Sequence, residues 1–189
     1  ALTRPSPRGY PHKAMTDPTF AFLRAVNLGK HNKVPMKELV SVLEAEGLGP
    51  VTFMLASGNL VFPEPVHAGL GERLKSLVHA HFGVDTDAIM RDAAGLRVLV
   101  DANPFGVPEE GSVQISLWDG EPDADGLSKL AAADHAPDEL RLVEGAAIIR
   151  YASSSHDSKL SNSLIIRRLK VPATLRNVKT LIRLLEKFA

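Results

Sequence analysis

The 189-residue chain contains no cysteine, which excludes disulfide scaffolding, thiolate-bound zinc, cysteine-ligated iron–sulfur clusters and thiol nucleophiles. Aromatic residues make up only 5% of it. No apolar run approaches the length of about 18 residues that a membrane-crossing helix needs. Net charge is missing as well, because 22 basic side chains balance 22 acidic ones. A chain that coats nucleic acid through overall basicity is thereby excluded, and only a local patch could serve that role. The opening residues, ALTRPSPRGYPHKAMTDP, have no apolar stretch of the signal-peptide kind. Residues 1–17 read as a flexible N-terminal extension with Met15 a candidate native start, and the lack of cysteine suits a cytoplasmic setting.

What is present is the composition of a folded protein. Hydrophobic residues make up 44% of the chain, enough for one substantial core or two small ones sharing an interface. The zero net charge hides an uneven distribution. Residues 85–144 hold 14 acidic and 4 basic side chains, a difference of −10, while residues 150–187 hold 9 basic and 2 acidic, a difference of +7. Such asymmetry either steers an anionic partner to the basic segment or holds two parts of the molecule together.

TFAFLRAV (19–26) reads as a strand. After the polar turn NLGKHNKV, Met36, Leu39, Val40 and Leu43 recur at helical spacing behind Pro35, and Gly47 and Gly49 end that helix. Residues 50–56 and 59–63 read as two short strands about a Ser57-Gly58-Asn59 turn. Leu70, Leu74, Leu77, Val78 and His81 mark a second helix, and Thr86 to Arg91 a further strand. This order is β-α-β-β-α-β, the split arrangement of a ferredoxin-like unit. Asp92 then caps a short helix carrying Leu96, Leu99 and Val100, ahead of the connector DANPFGVPEEG.

Beyond the connector come a strand at 112–118, a helix at 126–134, a hairpin of 139–143 and 146–153 joined through Glu144-Gly145, and a helix at 159–170. An extended piece at 172–175 and a final helix capped by Asn177 complete the chain. The expected fold is therefore α+β: two ferredoxin-like β-α-β-β-α-β units, with largely antiparallel sheets and helices on one face. The first would span 18–100 and the second 112–189 with an extra C-terminal helix, with 101–111 as the connector.

Polar residues gather at turns and helix starts. RAVNLGKHNK (24–33) places Arg24, Asn27, Lys30, His31, Asn32 and Lys33 around Gly29 just before a helix, which suits a phosphate or a plain solvated turn. Arg24 closes an apolar strand, so its guanidinium needs a carboxylate, water or a ligand. In the hairpin, Gly58 permits positive φ, and Ser57 and Asn59 either bond the local backbone or present fixed groups to a ligand. A second cluster, SSSHDSK (153–159), offers Ser158 or Asp157 as a helix cap and Lys159 as a cation, followed by Arg176 and Asn177 in TLRN. Adjacent Ser, His and Asp in one turn cannot form a relay, and no nucleophile elbow occurs. No metal pattern and no cofactor motif emerges: His79 and His81 point to different sides of a helix, and WDGEPDADG fails the calcium-loop spacing.

Taken together and in order, FLRAVNLGKHNKVPM, LASGNLVF, SSSHDSKL and TLRNVKT resemble the bacterial family classed as domain of unknown function 1697, over nearly all of residues 18–189. The positions that carry the resemblance include Arg24, Asn27, Gly29, Asn32, Lys33, Met36, Ser57, Gly58, Asn59, Ser158, Lys159, Leu160, Thr174, Arg176, Asn177 and Thr180. Ala25 and Lys30 stand where the family usually has Gly, and Val178 where it usually has Trp, so an aromatic that could line a groove is replaced. The resemblance implies no established reaction, substrate or cofactor. The leading expectation is binding of a small anionic or phosphorylated ligand at a site shared by the two halves, using Arg24, Asn27, Lys33, Ser57, Asn59, Ser158, Lys159, Arg176 and Asn177. The alternatives are an enzyme acting on a nucleotide-like or phosphorylated substrate, and nucleic-acid binding through Arg167, Arg168, Lys170 and Arg176.

Overall fold

The structure is a computed structural model that describes residues 17–65, 68–109 and 112–189. The N-terminal extension read from residues 1–17 lies outside the described residues except for Asp17, as do Glu110 and Gly111 of the connector. The first half runs β1 (Thr19–Leu23), α1 (Met36–Ala45), β2 (Thr52–Met54), β3 (Asn59–Phe62), α2 (Leu70–Phe82), β4 (Ala88–Asp92) and α3 (Ala93–Asp101). The second half repeats that order with β5 (Ser112–Trp118), α4 (Ala124–Ala132), β6 (Glu139–Val143), β7 (Ala146–Tyr151), α5 (Asn162–Leu169), β8 (Ala173–Asn177) and α6 (Val178–Phe188). The sheets are antiparallel, with orders β2-β3-β1-β4 and β6-β7-β5-β8. These are the same path taken twice, as in a duplicated ferredoxin-like fold.

Side-chain alternation divides each sheet between two cores. Ala21, Leu23, Leu60 and Phe62 face α1 and α2, while Ala147, Ile149 and Tyr151 face the layer built with α5. The other parity, Phe20, Phe22, Val61 and Ile89 of the first sheet with Val113, Ile115, Leu117, Ala146 and Ile148 of the second, makes one central core. The helix that follows each sheet joins it, through Leu96 and Leu99 of α3 and Val178, Leu181 and Leu184 of α6. A terminal helix thus closes both halves, α3 behind the Asp92 cap and α6 behind Asn177, as the sequence spacing predicts. Both helices leave a last strand through a capping side chain: Asp92 accepts from the Gly95 N–H, and Asn177 from the Lys179 N–H. Val178 is fully buried there, so the position that is usually Trp in the family belongs to the central core and lines no groove.

Several boundaries move, among them the ends of the strands expected at 50–56, 86–91, 146–153 and 172–175, and three of the shifts have a visible cause. β1 stops at Leu23, because Ala25 and Asn27 take positive φ and end the extended chain. α4 begins at Ala124, because the Asp123 carboxylate accepts from the Gly126 N–H. α5 begins at Asn162 with Ser161 as its cap, so neither Ser158 nor Asp157 caps a helix. No helix among the described residues is long and apolar enough to cross a membrane.

Candidate functional site

Alternation along β8 turns Thr174 and Arg176 toward the central core, and Arg176 reaches the first half of the molecule. Its guanidinium uses all five N–H donors. Nε donates to Asn59 Oδ1 at 2.7 Å; Nη1 to Thr174 Oγ1 at 2.6 Å and the Leu175 carbonyl at 2.9 Å; Nη2 to the Leu23 carbonyl at 2.7 Å and the Ser57 carbonyl at 2.9 Å. The Phe22 ring lies beneath, 5.6 Å from the guanidinium carbon. No carboxylate is among these partners. Burial pushes the guanidinium down to about 10, still far above neutral, so the charge is retained and is balanced by oriented dipoles and the ring face.

The hairpin is shaped to receive this side chain. Asn59 is fully buried and donates to the Met54 carbonyl at 2.8 Å and to Ser57 Oγ at 3.0 Å, which leaves its carbonyl oxygen aimed at Arg176. Gly58 has φ +80°, and a Cβ there would lie 2.6 Å from Val26 Cγ2 and 2.8 Å from Leu23 Cβ. Only glycine lets the turn close onto the end of β1, where the Leu23 N–H donates to the Gly58 carbonyl.

Asn27 ties the neighbouring loop to the same turn. Its amide donates to the Val34 and Ala56 carbonyls and accepts from the Val34 N–H. Asn32 donates to the Ala25 carbonyl, and Lys33 to the Gly29 carbonyl at 2.6 Å. Arg24 forms the ion pair that its position demanded, with Asp87 at 2.5 Å. Thus Ser57, Asn59 and Arg176 meet directly, Asn27 joins them through Ala56, and Arg24 is engaged by Asp87.

Ser158 and Lys159 belong to a separate loop of the second half. Ser158 donates to Asp138 and accepts from the Leu160 N–H, and Lys159 is exposed. Tyr151 anchors this loop by donating to the Leu160 carbonyl, and its burial raises the phenol well above its usual range. Asn177 serves as the α6 cap. Two of the nine nominated residues, Asn27 and Lys33, line a concavity of about 600 Å³ beside α1, together with Lys37, Phe53, Leu55 and Ala56. α1 opens onto it behind Pro35, with no side chain capping its first turn. Lys37, Phe53 and Leu55 are groove residues that the motifs did not single out. Lys37, the second residue of the helix that follows Pro35, is the readable signal. Among the described residues no cluster of His, Asp and Glu could hold a metal ion.

The family model described as protein of unknown function (DUF1697) matches residues 17–147. The chain belongs to the DUF1697 family. Its Arg176 latch lies beyond the matched segment, whereas the loop and hairpin it clasps lie within it. No curated protein matches the DUF1697 chain. Among solved structures, conserved bacterial protein SP0830 from Streptococcus pneumoniae superposes with a TM-score of 0.71, covering 92% of this chain and 99% of that one at 19% identity. That likeness is one of fold.

Proposed function

We propose that this DUF1697 chain binds a small anionic, phosphate-bearing ligand in the groove at the start of α1. The observation that carries the proposal is an uncapped helix N-terminus opening on a concavity lined by Lys33 and Lys37, two cations against the single carboxylate of Glu38. The free N–H groups of a first helical turn and its positive dipole end favour an anion. Phe53 and Leu55 offer an apolar wall beside this polar end, which suits an organic phosphate better than a bare ion. The reading is narrower than a site shared by the two halves. Arg176 has no donor left to give a ligand, and Ser158 and Lys159 sit in a loop of their own.

The test is a titration of the chain with inorganic phosphate and with nucleoside monophosphates, followed by amide chemical shifts. Saturable shifts confined to residues 33–38 and 53–56 are expected. The Lys33→Ala/Lys37→Ala variant should weaken the dissociation constant about tenfold or more, which corresponds to about 1.4 kcal/mol. No saturable shift, or a shift indifferent to both lysines, would refute the proposal. A steep loss of binding with salt would instead point to a polyanion.

A further inference from the structure

We propose that β6 is a docking edge for a second copy of this chain, the two β6 strands pairing antiparallel about Leu140. The backbone registers decide which groups face outward. The Trp118 N–H donates to the Gly145 carbonyl, so the odd-numbered residues of β7 bond to β5 and the even-numbered ones to β6. Val143, Arg141 and Glu139 therefore bond inward to Ala146, Ile148 and Arg150, and Leu140 and Leu142 direct their N–H and C=O groups to the open side.

The remaining sheet edges are treated differently. On β4 the outward Met90 N–H donates to Asp119 and the Met90 carbonyl accepts from Arg91. On β8 the outward Ala173 and Leu175 carbonyls accept from Asn162 and Arg176. β2 is only three residues long. β6 is five residues long, carries no proline or lysine, and borders a shallow concavity of about 740 Å³ between the 102–105 turn and the end of α4. An edge of this kind is a template for strand addition.

Charge selects the register and with it the occupant. Arg141 is exposed and has no ion-pair partner among the described residues, while Glu139 already holds Arg150. A two-fold pairing of Leu140 on Leu140 sets Glu139 of each copy opposite Arg141 of the other, at the pair sites where side chains come closest. Pairing Leu140 on Leu142 would set Arg141 against itself. Pairing Leu142 on Leu142 would set it against Val143. The strand is self-complementary in one register, which makes a second copy the partner that fits.

Sedimentation velocity across a dilution series up to millimolar concentration tests this. The apparent mass should double with concentration. Leu140→Pro removes the outward N–H and leaves the ladder to β7 intact, so it should stay monomeric and still unfold in one cooperative urea transition, at a midpoint lowered by the lost packing of the leucine side chain. Arg141→Glu should weaken the dimer about tenfold by placing like charges opposite each other twice, and Glu139→Arg/Arg141→Glu should restore it. A monomer at every concentration, or a dimer indifferent to Leu140→Pro and Arg141→Glu, would overturn the proposal.

Discussion

Arg176 and Asn59 illustrate how a polar residue in a motif can be structural without being dispensable. Their hydrogen bond spans 117 residues of sequence, and the bond from Arg176 to the Leu23 carbonyl spans 153. Replacing Arg176 with Met would leave the Leu23 and Ser57 carbonyls and the Asn59 amide oxygen without a donor, which should destabilise the fold by about 3–5 kcal/mol in urea denaturation. A second residue-scale outcome concerns Ala25, which stands at φ 55° where the family usually has glycine. Ala25→Gly should stabilise the chain by about 1 kcal/mol by relieving a left-handed backbone, read as a raised urea midpoint. The motif residues were readable in the sequence as a set, and so was the demand of Arg24 for a partner. Their roles were not, because the acceptors of Arg176 are mostly backbone carbonyls brought close only by the packing of the two sheets.

At the scale of elements, periodicity and caps gave the type and order of nearly every piece, including the Asp92 and Asn177 caps. The misplaced starts of α4 and α5 share one cause: several Ser and Asp residues competed for the cap, and distant contacts bear on the outcome, Lys170 holding the Asp123 cap and Asp138 engaging Ser158 so that Ser161 caps α5. Asp123 also accepts from Lys170 at 2.6 Å, a bond that, with the Gly126 N–H, holds its carboxyl below the usual range. The α4–α5 crossing imposes a constraint that spacing alone does not reveal. A Cβ on Gly126 would lie 1.7 Å from the Arg168 carbonyl oxygen, so the backbones must part for any larger residue. Gly126→Ala should cost about 3 kcal/mol despite its better helix propensity, whereas a helix glycine free of such contact would gain on the same change. Thermal unfolding of Gly126→Ala checks this, and an unchanged or raised midpoint would contradict the close approach. The acidic and basic stretches likewise find one another locally, Lys170 with Asp123 and Arg150 with Glu139, which favours charge asymmetry as cohesion over steering.

For the whole molecule, the consequence of two sheets sharing a central core is that neither half hides its apolar surface alone. Phe20, Phe22, Val61 and Ile89 would face water in a fragment of residues 18–100. Such a fragment should bind a hydrophobic dye and lack a sharp unfolding transition, while the intact chain unfolds in one step. The duplicated order of elements was legible from turn residues and hydrophobic period. The shared core was not, since both faces of each sheet are apolar and nothing local says which cover belongs to which face. Arg176 fixes that choice by bonding across the interface. The most direct test is a double-mutant cycle on Arg176→Met and Asn59→Ala, with stabilities from urea denaturation. A coupling of about 2 kcal/mol and a single transition in every variant are predicted. Effects that add to within about 0.5 kcal/mol would mean that the two halves are not latched through this pair.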